Sequence, residues 1–462
     1  MSYSDVAGAM GLPEREEQPH NDGGFLAVDD LDANGLPDVL FQDVSGPAQI
    51  AWNLGDHFDV QTSDGWGEIW QSNIADLDGD GWRDLTYTGL YMGFIPGGDA
   101  GNPVRIPLEP PPGVNVKDIR ELSPGDVDGD GDYDLYPLLR GHQDGELMPS
   151  HWLLLNDGFG NFTAVDDMLP ASFVAGQGID SVWFDQGADR DIDLYVVNDQ
   201  APIYGANVLA TQEDGEFVDG TDACSCGLAL SGMGVSVGDG NGDGLPDLFV
   251  ANSFSTVLLE GMPDGSFVNT TAARDAQPIT HAWGMAWGSV WLDYDNDGRQ
   301  DLLVAQGDLW TEFAEERAHE APIQLLRNTG ERYEDVSAEL GLVSTGSHRA
   351  AVVTDFNLDG VSDFLVTSIS GAHHLYLSDG CTAAGWLDVE GPIGAEVRVE
   401  AGGRTQVGWI SSESGWGASR APVVHFGLGE AQRVDRLEVR WSGLGVAVDD
   451  LEARRTVVVT AK

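Results

Sequence analysis

Aspartates recur in this chain in a nine-residue pattern suited to a hard cation: Asp at position 1, Asp or Asn at 3 and 5, Gly at 6, Asp at 9. The first three copies are Asp30, Asp32, Asn34, Asp38; Asp76, Asp78, Asp80, Asp84; and Asp126, Asp128, Asp130, Asp134. Three more are Asp239, Asn241, Asp243, Asp247; Asp293, Asp295, Asp297, Asp301; and Asp355, Asn357, Asp359, Asp363. A damaged seventh copy, fourth in chain order, keeps Asp185, Asp189 and Asp193 but has Gly187 at position 3 and Arg190 for the glycine. Carboxylates at alternate positions of a tight loop can converge on one point. Gly at 6 permits the turn, a carbonyl at 7 adds a ligand, and Asp at 9 closes the shell. Several hard oxygens on a flexible loop favour Ca²⁺ over Mg²⁺ or a transition metal. An EF-hand shares the first six positions but needs a bidentate Glu at position 12 and a helix after it. Position 12 here is Phe41, Tyr87, Pro137, Val196, Val250, Val304 or Val366, so EF-hands are excluded. Asp- and Gly-rich loops are also ordinary solvated turns. Repetition at fixed internal spacing tips the balance to metal, with six or seven Ca²⁺ ions expected.

The elements that must hold these loops repeat with them. Copies start 46 to 62 residues apart, and position 9 is followed by an apolar, strand-like run such as Val39-Leu-Phe41 or Leu302-Leu-Val304. An Asn-Asp-Gly type of turn follows, as in Leu153-Leu-Leu-Asn-Asp-Gly158, then a strand opening on an aromatic such as Phe58, Phe162, Phe217, Phe267 or Tyr333. Short β runs joined by hairpin turns at this period read as four-stranded blades of a propeller. The fold class is therefore all-β: a seven-bladed β-propeller followed by a small C-terminal β domain. The seventh unit lacks its last strand, and Tyr3-Ser-Asp-Val6 at the other end of the chain is expected to supply it, which removes the edges an open array would expose. Thr311–His319 reads as a short exposed helix inserted in the sixth unit.

Charge and cysteine content bound the function. The chain has 462 residues, with 77 acidic against 22 basic side chains, a formal charge of −55. At 42% hydrophobic with 14 Trp it can bury a large core, so the acidity does not mean disorder. Such a charge repels phosphate and anionic lipid, which argues against nucleic acid or a membrane surface as partner. No apolar run reaches the length of a membrane span, and Met1-Ser-Tyr-Ser-Asp5 carries no export signal. Cys224-Ser-Cys226 allows a tight disulfide, a redox pair or half a soft-metal site; plain thiols are the preferred reading, because no second Cys/His cluster lies near in sequence.

From Trp386 the texture changes: 11 acidic and 9 basic residues give a net of −2, leaving −53 on residues 1–385. Glu396-Val-Arg-Val-Glu400, Arg436-Leu-Glu-Val-Arg-Trp441 and Thr456-Val-Val-Val-Thr460 read as strands of a second domain, with boundaries at 1–380 and 386–462. The stretch from Ile393, with Ser411-Ser-Glu-Ser-Gly-Trp416, His425-Phe-Gly-Leu-Gly429 and Val434-Asp-Arg-Leu-Glu-Val-Arg-Trp441, resembles the ASPIC/UnbV domain. The repeats before it resemble FG-GAP/VCBS repeats, and the ordered pair resembles the cartilage acidic protein family and its bacterial homologues. The resemblance implies a calcium-binding seven-bladed propeller in a secreted protein that acts by binding other molecules. It offers no catalytic residue to carry over.

Two functions follow. One is an extracellular, secreted, cell-surface or periplasmic calcium-binding module that binds a protein or glycan without catalysis. The other is an enzyme or accessory factor with a metal or polysaccharide site at the propeller channel, for which a converged His/Asp/Glu cluster would be the mark. His281, His348, His373, His374 and His425 are scattered along the chain, and no phosphate loop, G-x-S-x-G elbow or H-E-x-x-H motif is present. Trp283, Trp287 and Trp291 read as propeller core rather than a sugar platform.

Overall fold

The computed structural model describes residues 1–460 except 16–22, 44–46, 63–68, 99–103, 141, 144–145, 148–150, 171–175, 188, 214, 254, 279–283, 309–320, 370 and 381–382. The expected helix at Thr311–His319, with His281 and Trp283, lies outside the described residues. The rest is almost wholly β. Seven antiparallel sheets of at least four strands carry the seven acidic loops, one loop each. In every one the loop is the hairpin between the first and second strands. Position 9 opens the second strand, as in the pairs Asp29↔Asp38, Gly125↔Asp134 and Thr354↔Asp363. The apolar runs after position 9 are these second strands: Leu135–Leu139, Leu194–Val197 and Leu248–Ala251 are buried throughout.

The first strands line the interior, and six of them carry a bulge near the end away from the loop. Register slips fall at Gly23/Phe25, Ile119/Glu121, Gly178/Asp180, Gly232/Val235, Ala286/Ser289 and His348/Ala351. A bulge bends a strand and re-aims its side chains. Successive sheets share apolar clusters. Leu26 and Val28 of the first sheet pack with Ala350 and Val352 of the seventh, and Ala27 and Leu40 with Ile74 and Leu85 of the second. Tyr3–Asp5 lies antiparallel to His374–Ser378 as the outer strand of the seventh sheet, Tyr3 opposite Ser378. Its ring packs on Phe364, centroids 4.9 Å apart.

A side chain at the end of the third strand latches neighbouring sheets. Asn53 Nδ2 donates to the Phe356 carbonyl of the seventh sheet's loop at 3.2 Å. Asn156 reaches the Leu77 carbonyl at 2.8 Å, Gln212 that of Val127 at 2.9 Å and Asn328 that of Gly240 at 2.7 Å. Each bond crosses to the sheet before it in chain order, Asn53 crossing from first to seventh.

The C-terminal part forms two sheets, one of Arg404–Trp409, Glu396–Ala401, Arg433–Trp441 and Leu444–Glu452, the other of Val423–Gly429, Gly385–Glu390 and Arg455–Val458. Leu387, Val389, Val397, Val399, Phe426 and Leu437 fill the space between them. One segment leaves this core altogether. Ser411–Ser419 is buried, and Ala418–Arg420 pairs in parallel with the first strand of the first sheet, Leu26 opposite Ala418. Trp416 packs between Phe25 and Trp287 at 4.9 and 4.8 Å. Ser414 Oγ donates to the Ala351 carbonyl at 3.0 Å and Ser123 Oγ to Glu413 at 3.2 Å. The segment thus plugs the space between the first strands. Gly417 takes a φ of 66°, and a side chain there would collide with Phe25. The plug has no strand periodicity in sequence, which is why the C-terminal residues read as a separate appendage.

Candidate metal centres

The seven loops share one backbone. Where it is described, position 4 is left-handed, with φ of 58° at Ala33, 73° at Gly79, 55° at Asn296 and 59° at Leu358. Position 6 is left-handed in every copy, from 80° at Arg190 to 94° at Gly131. The position-1 carboxylate then spans the turn: Asp293 accepts the N–H of Asp297 at 3.0 Å and of Gly298 at 2.8 Å, and Asp239 those of Asp243 and Gly244 at 3.0 Å each. Position 5 accepts the N–H of position 7, as Asp80 does from Trp82 at 2.8 Å and Asp130 from Asp132 at 3.0 Å.

Among the described residues four loops bring three carboxylate oxygens within 4.8 Å of one another: Asp30, Asp32 and Asp38; Asp76, Asp78 and Asp84; Asp126, Asp128 and Asp134; and Asp293, Asp295 and Asp297. These clusters can hold metal ions. Two oxygens fit that reading directly, since Asp126 Oδ1 and Asp295 Oδ1 are buried with no hydrogen-bond partner. The loops at Asp239 and Asp355 have Asn241 and Asn357 at position 3 and bring no such carboxylate trio together, but keep the position-1 bonds, as Asp355 does to Asp359 at 3.0 Å.

Position 9 has a second role that spacing did not reveal. In all seven loops one of its oxygens accepts the N–H of position 2 and the other a backbone N–H at or near the end of the third strand. Asp38 takes Leu31 at 3.0 Å and Asn53 at 2.7 Å; Asp193, in the damaged loop, takes Gln186 at 2.7 Å and Gln212 at 2.8 Å. The fourth loop therefore keeps Asp193 for the fold, whether or not it holds an ion. Burial drives these carboxyls up, to about 7 for Asp38 and Asp84 and about 8 for Asp134 and Asp363.

The C-terminal domain sits on these loops. Ser442 Oγ lies 3.2 Å from Asp126 Oδ2, Arg404 donates to the Asp297 carbonyl at 2.6 Å, and the Gly443 N–H reaches the Arg190 carbonyl at 3.3 Å. Arg83, at position 8 of the second loop, bridges Asp29 and Glu390, both at 2.5 Å.

Residues 239–304 and 293–366 match the FG-GAP-like repeat, and residues 391–462 match the ASPIC and UnbV domain. The chain carries FG-GAP-like repeats and a C-terminal ASPIC/UnbV domain. No curated protein matches it. Among solved structures it is similar to an Agrocybe aegerita lectin described as recognising non-reducing terminal N-acetylglucosamine, at 16% identity and TM-score 0.41, covering 74% of this chain and 88% of that one. It is also similar to BBS1N, solved in complex with ARL6DN, at 11% identity and TM-score 0.48, covering 79% and 96%. A third is YCF48 from Cyanidioschyzon merolae, at 8% identity and TM-score 0.45, covering 81% and 98%. Likenesses this distant decide nothing further about this chain.

The remaining candidates disperse. Cys224 and Cys226 are joined in a disulfide, not left as thiols; the left-handed Ser225 at the end of a single helical turn brings their Cα atoms to 5.2 Å. His374 bonds Asp5 at 2.7 Å and Ser344 at 2.8 Å, and His425 bonds Asp388 and Asn296, each at 2.7 Å. Among the described residues no metal-ligating group of three includes a histidine. Trp287 and Trp291 are buried in the core. No described helix is long and apolar enough to cross a membrane.

Proposed function

We propose that the seven sheets close into a seven-bladed β-propeller over residues 1–380, capped and plugged by the domain over 386–462. On this reading the chain is an extracellular calcium-binding module that binds a protein or glycan and catalyses nothing. The observation that carries it is the shared loop: one backbone turn recurs in every copy, and in four copies it brings three carboxylate oxygens within 4.8 Å of one another. In six copies position 3 keeps an oxygen ligand; in the fourth Gly187 offers none, so six ions are expected from the loops. The disulfide suits an oxidising exterior. The rival, an enzyme with its site at the channel, needs an opening that Ser411–Arg420 fills.

Exposed rings flank the second loop and mark the surface for a partner. Trp82 stands at its position 7, 46% exposed, and Phe159 is 78% exposed in a turn whose Gly160 packs against Asp78 and Phe94. Aromatic faces beside a hard cation suit sugars and protein side chains alike. The test has two parts. Calcium uptake measured by equilibrium dialysis should reach about six equivalents by the one-ion-per-loop geometry. An array of immobilised glycans and extracellular proteins should then be bound in calcium, and lost in EDTA and in a Trp82→Ala, Phe159→Ala double variant. A folded chain that takes up no calcium sinks the reading.

A further inference from the structure

The repeats serve as controls for one another, and the second departs from the pattern. Position 9 of each loop holds a backbone N–H near the end of the third strand, and in four sheets that residue's side chain is the latch: Asn53, Asn156, Gln212 and Asn328. Each reaches the carbonyl at position 2 of the preceding sheet's loop. In the second sheet the residue held by Asp84, at 2.8 Å, is Gly97, which has no side chain to reach with. The acceptor it leaves is the carbonyl of Leu31, at position 2 of the first loop, and that carbonyl has no donor among the described residues. A cavity of about 210 Å³ stands there, with Leu31 and Gly97 in its walls.

The rest of the wall departs from the pattern as well. Trp82 and Arg83 stand at positions 7 and 8 of the second loop, where no other loop has an aromatic ring at 7 or a cation at 8. Asp29, just before position 1 of the first loop, has no acidic counterpart in the other six. The repeated backbone therefore demands none of the three. Arg83 spends three of its five N–H groups on Asp29 and Glu390, and the other two have no acceptor among the described residues. Nor has the indole N–H of Trp82. Gly98 backs that ring: a side-chain carbon there would lie 3.2 Å from Trp82 Cγ and 3.3 Å from Cδ1 and Cδ2. Leu85 and Ile95, both buried, make the apolar side of the cavity.

We propose that this cavity binds one neutral pyranose ring, the terminal sugar of a glycan. The wall offers a spare acceptor on Leu31 and spare donors on Arg83 and Trp82. A sugar hydroxyl both donates and accepts, so neighbouring hydroxyls of one ring can serve them all, while its C–H face packs on the indole and the Leu85–Ile95 side. The volume sets the size: it falls below the range of about 300–1,000 Å³ for drug-sized pockets, room for one ring and too little for a run of peptide. Charge sets the class. Arg83 is already balanced by Asp29 and Glu390, and Asp30 also lines the cavity, so an acidic sugar meets net negative charge. The site lies on the partner face proposed above, rests on that reading, and narrows the partner to a glycan.

The test is calorimetric titration of the full-length protein, in calcium, with the methyl glycosides of glucose, galactose, mannose and N-acetylglucosamine, and with methyl glucuronide. At least one neutral glycoside is expected to bind, and Trp82→Ala to weaken it by about tenfold or more. Tyr91→Ala removes an exposed ring in the turn between the second and third strands of the same sheet and should leave binding unchanged. The glucuronide should bind about tenfold more weakly than the glucoside, or not at all. Silence from every neutral glycoside overturns the proposal, as does full affinity in folded Trp82→Ala or equal affinity for the glucuronide. Should Trp82→Ala not fold, wild-type crystals soaked in the bound glycoside decide: density between Trp82 and Leu31 supports the site, and density elsewhere or none rejects it. A protein captured on the array while no glycoside binds would sink the sugar site and keep the binding module. Glycoside binding without calcium uptake would do the reverse.

Discussion

Trp416 of the C-terminal domain packs its indole against that of Trp287 in the sixth sheet, the ring centroids 4.8 Å apart and the planes inclined at 57°. Phe25 of the first sheet lies on it at 4.9 Å. One side chain thus ties two sheets to a second domain, and the two parts should unfold together. Trp416→Ala leaves a cavity there and is expected to cost about 3–5 kcal/mol. Urea unfolding followed by tryptophan fluorescence should show a lower midpoint. An unchanged midpoint would mean that the plug contributes no stability.

Position 9 separates architecture from ligation. Asp193→Asn turns an amide towards a backbone N–H it formerly accepted and should destabilise the chain by about 1–3 kcal/mol. It should remove no calcium ion, because the fourth loop has Gly187 at position 3. Asp78→Asn should do the reverse, weakening one ion's binding while leaving the stability in EDTA nearly unchanged. Chemical denaturation and calorimetric calcium titration of both variants distinguish the two roles.

Backbone strain predicts gains. Arg190 has a φ of 80° where the other six loops have glycine, and Leu358, 58% exposed, has 59°. A side chain in the left-handed region costs about 1–2 kcal/mol. Arg190→Gly and Leu358→Gly should therefore each raise stability by about 1 kcal/mol, read as an upward shift in thermal midpoint. A downward shift in both would refute the strain.

Chelation exposes the buried acids. Bound calcium stabilises by about 2.7 kcal/mol per site when free calcium is 100 times Kd, so EDTA should lower the thermal midpoint. In the chelated protein burial holds Asp38 and Asp84 at about 7 and Asp134 and Asp363 at about 8, against about 3.9 for an unfolded Asp. The folded state then binds more protons than the unfolded state between those values, and stability falls as pH rises through that window. In EDTA the midpoint should drop from about pH 5 to about pH 8. Saturating calcium should reduce the drop, because the cation prefers the deprotonated ligands. A midpoint that climbs with pH in EDTA would contradict this.

The inter-sheet latch is the simplest to probe. Asn53→Ala removes the bonds to the Pro37 and Phe356 carbonyls. The expected loss is about 1–3 kcal/mol, since the buried Phe356 carbonyl and the part-buried Pro37 carbonyl lose their donor. Asn156→Ala should behave alike, and thermal unfolding of the pair measures both.

Much of this protein was readable because its chemistry is local. The ligand positions fall within nine consecutive residues, so the sequence alone determined which oxygens can converge; the strand runs after position 9 and the turns near Asn156 follow the same short-range rules. The latch was partly visible too, since Asn53, Asn156 and Asn328 recur before their turns, but nothing in that recurrence names the carbonyl they reach. The bulges at Glu121 and Asp180, the plug carrying Glu413 and Trp416, and the structural half of position 9 were decided by tertiary structure alone. A bulge re-aims a side chain only once strands are paired, and a plug exists only once sheets surround it. The cavity at Trp82 depends on packing too, because Leu31 belongs to one sheet's loop and Trp82 and Gly97 to the next, so its walls share no local backbone and meet only when the sheets have packed.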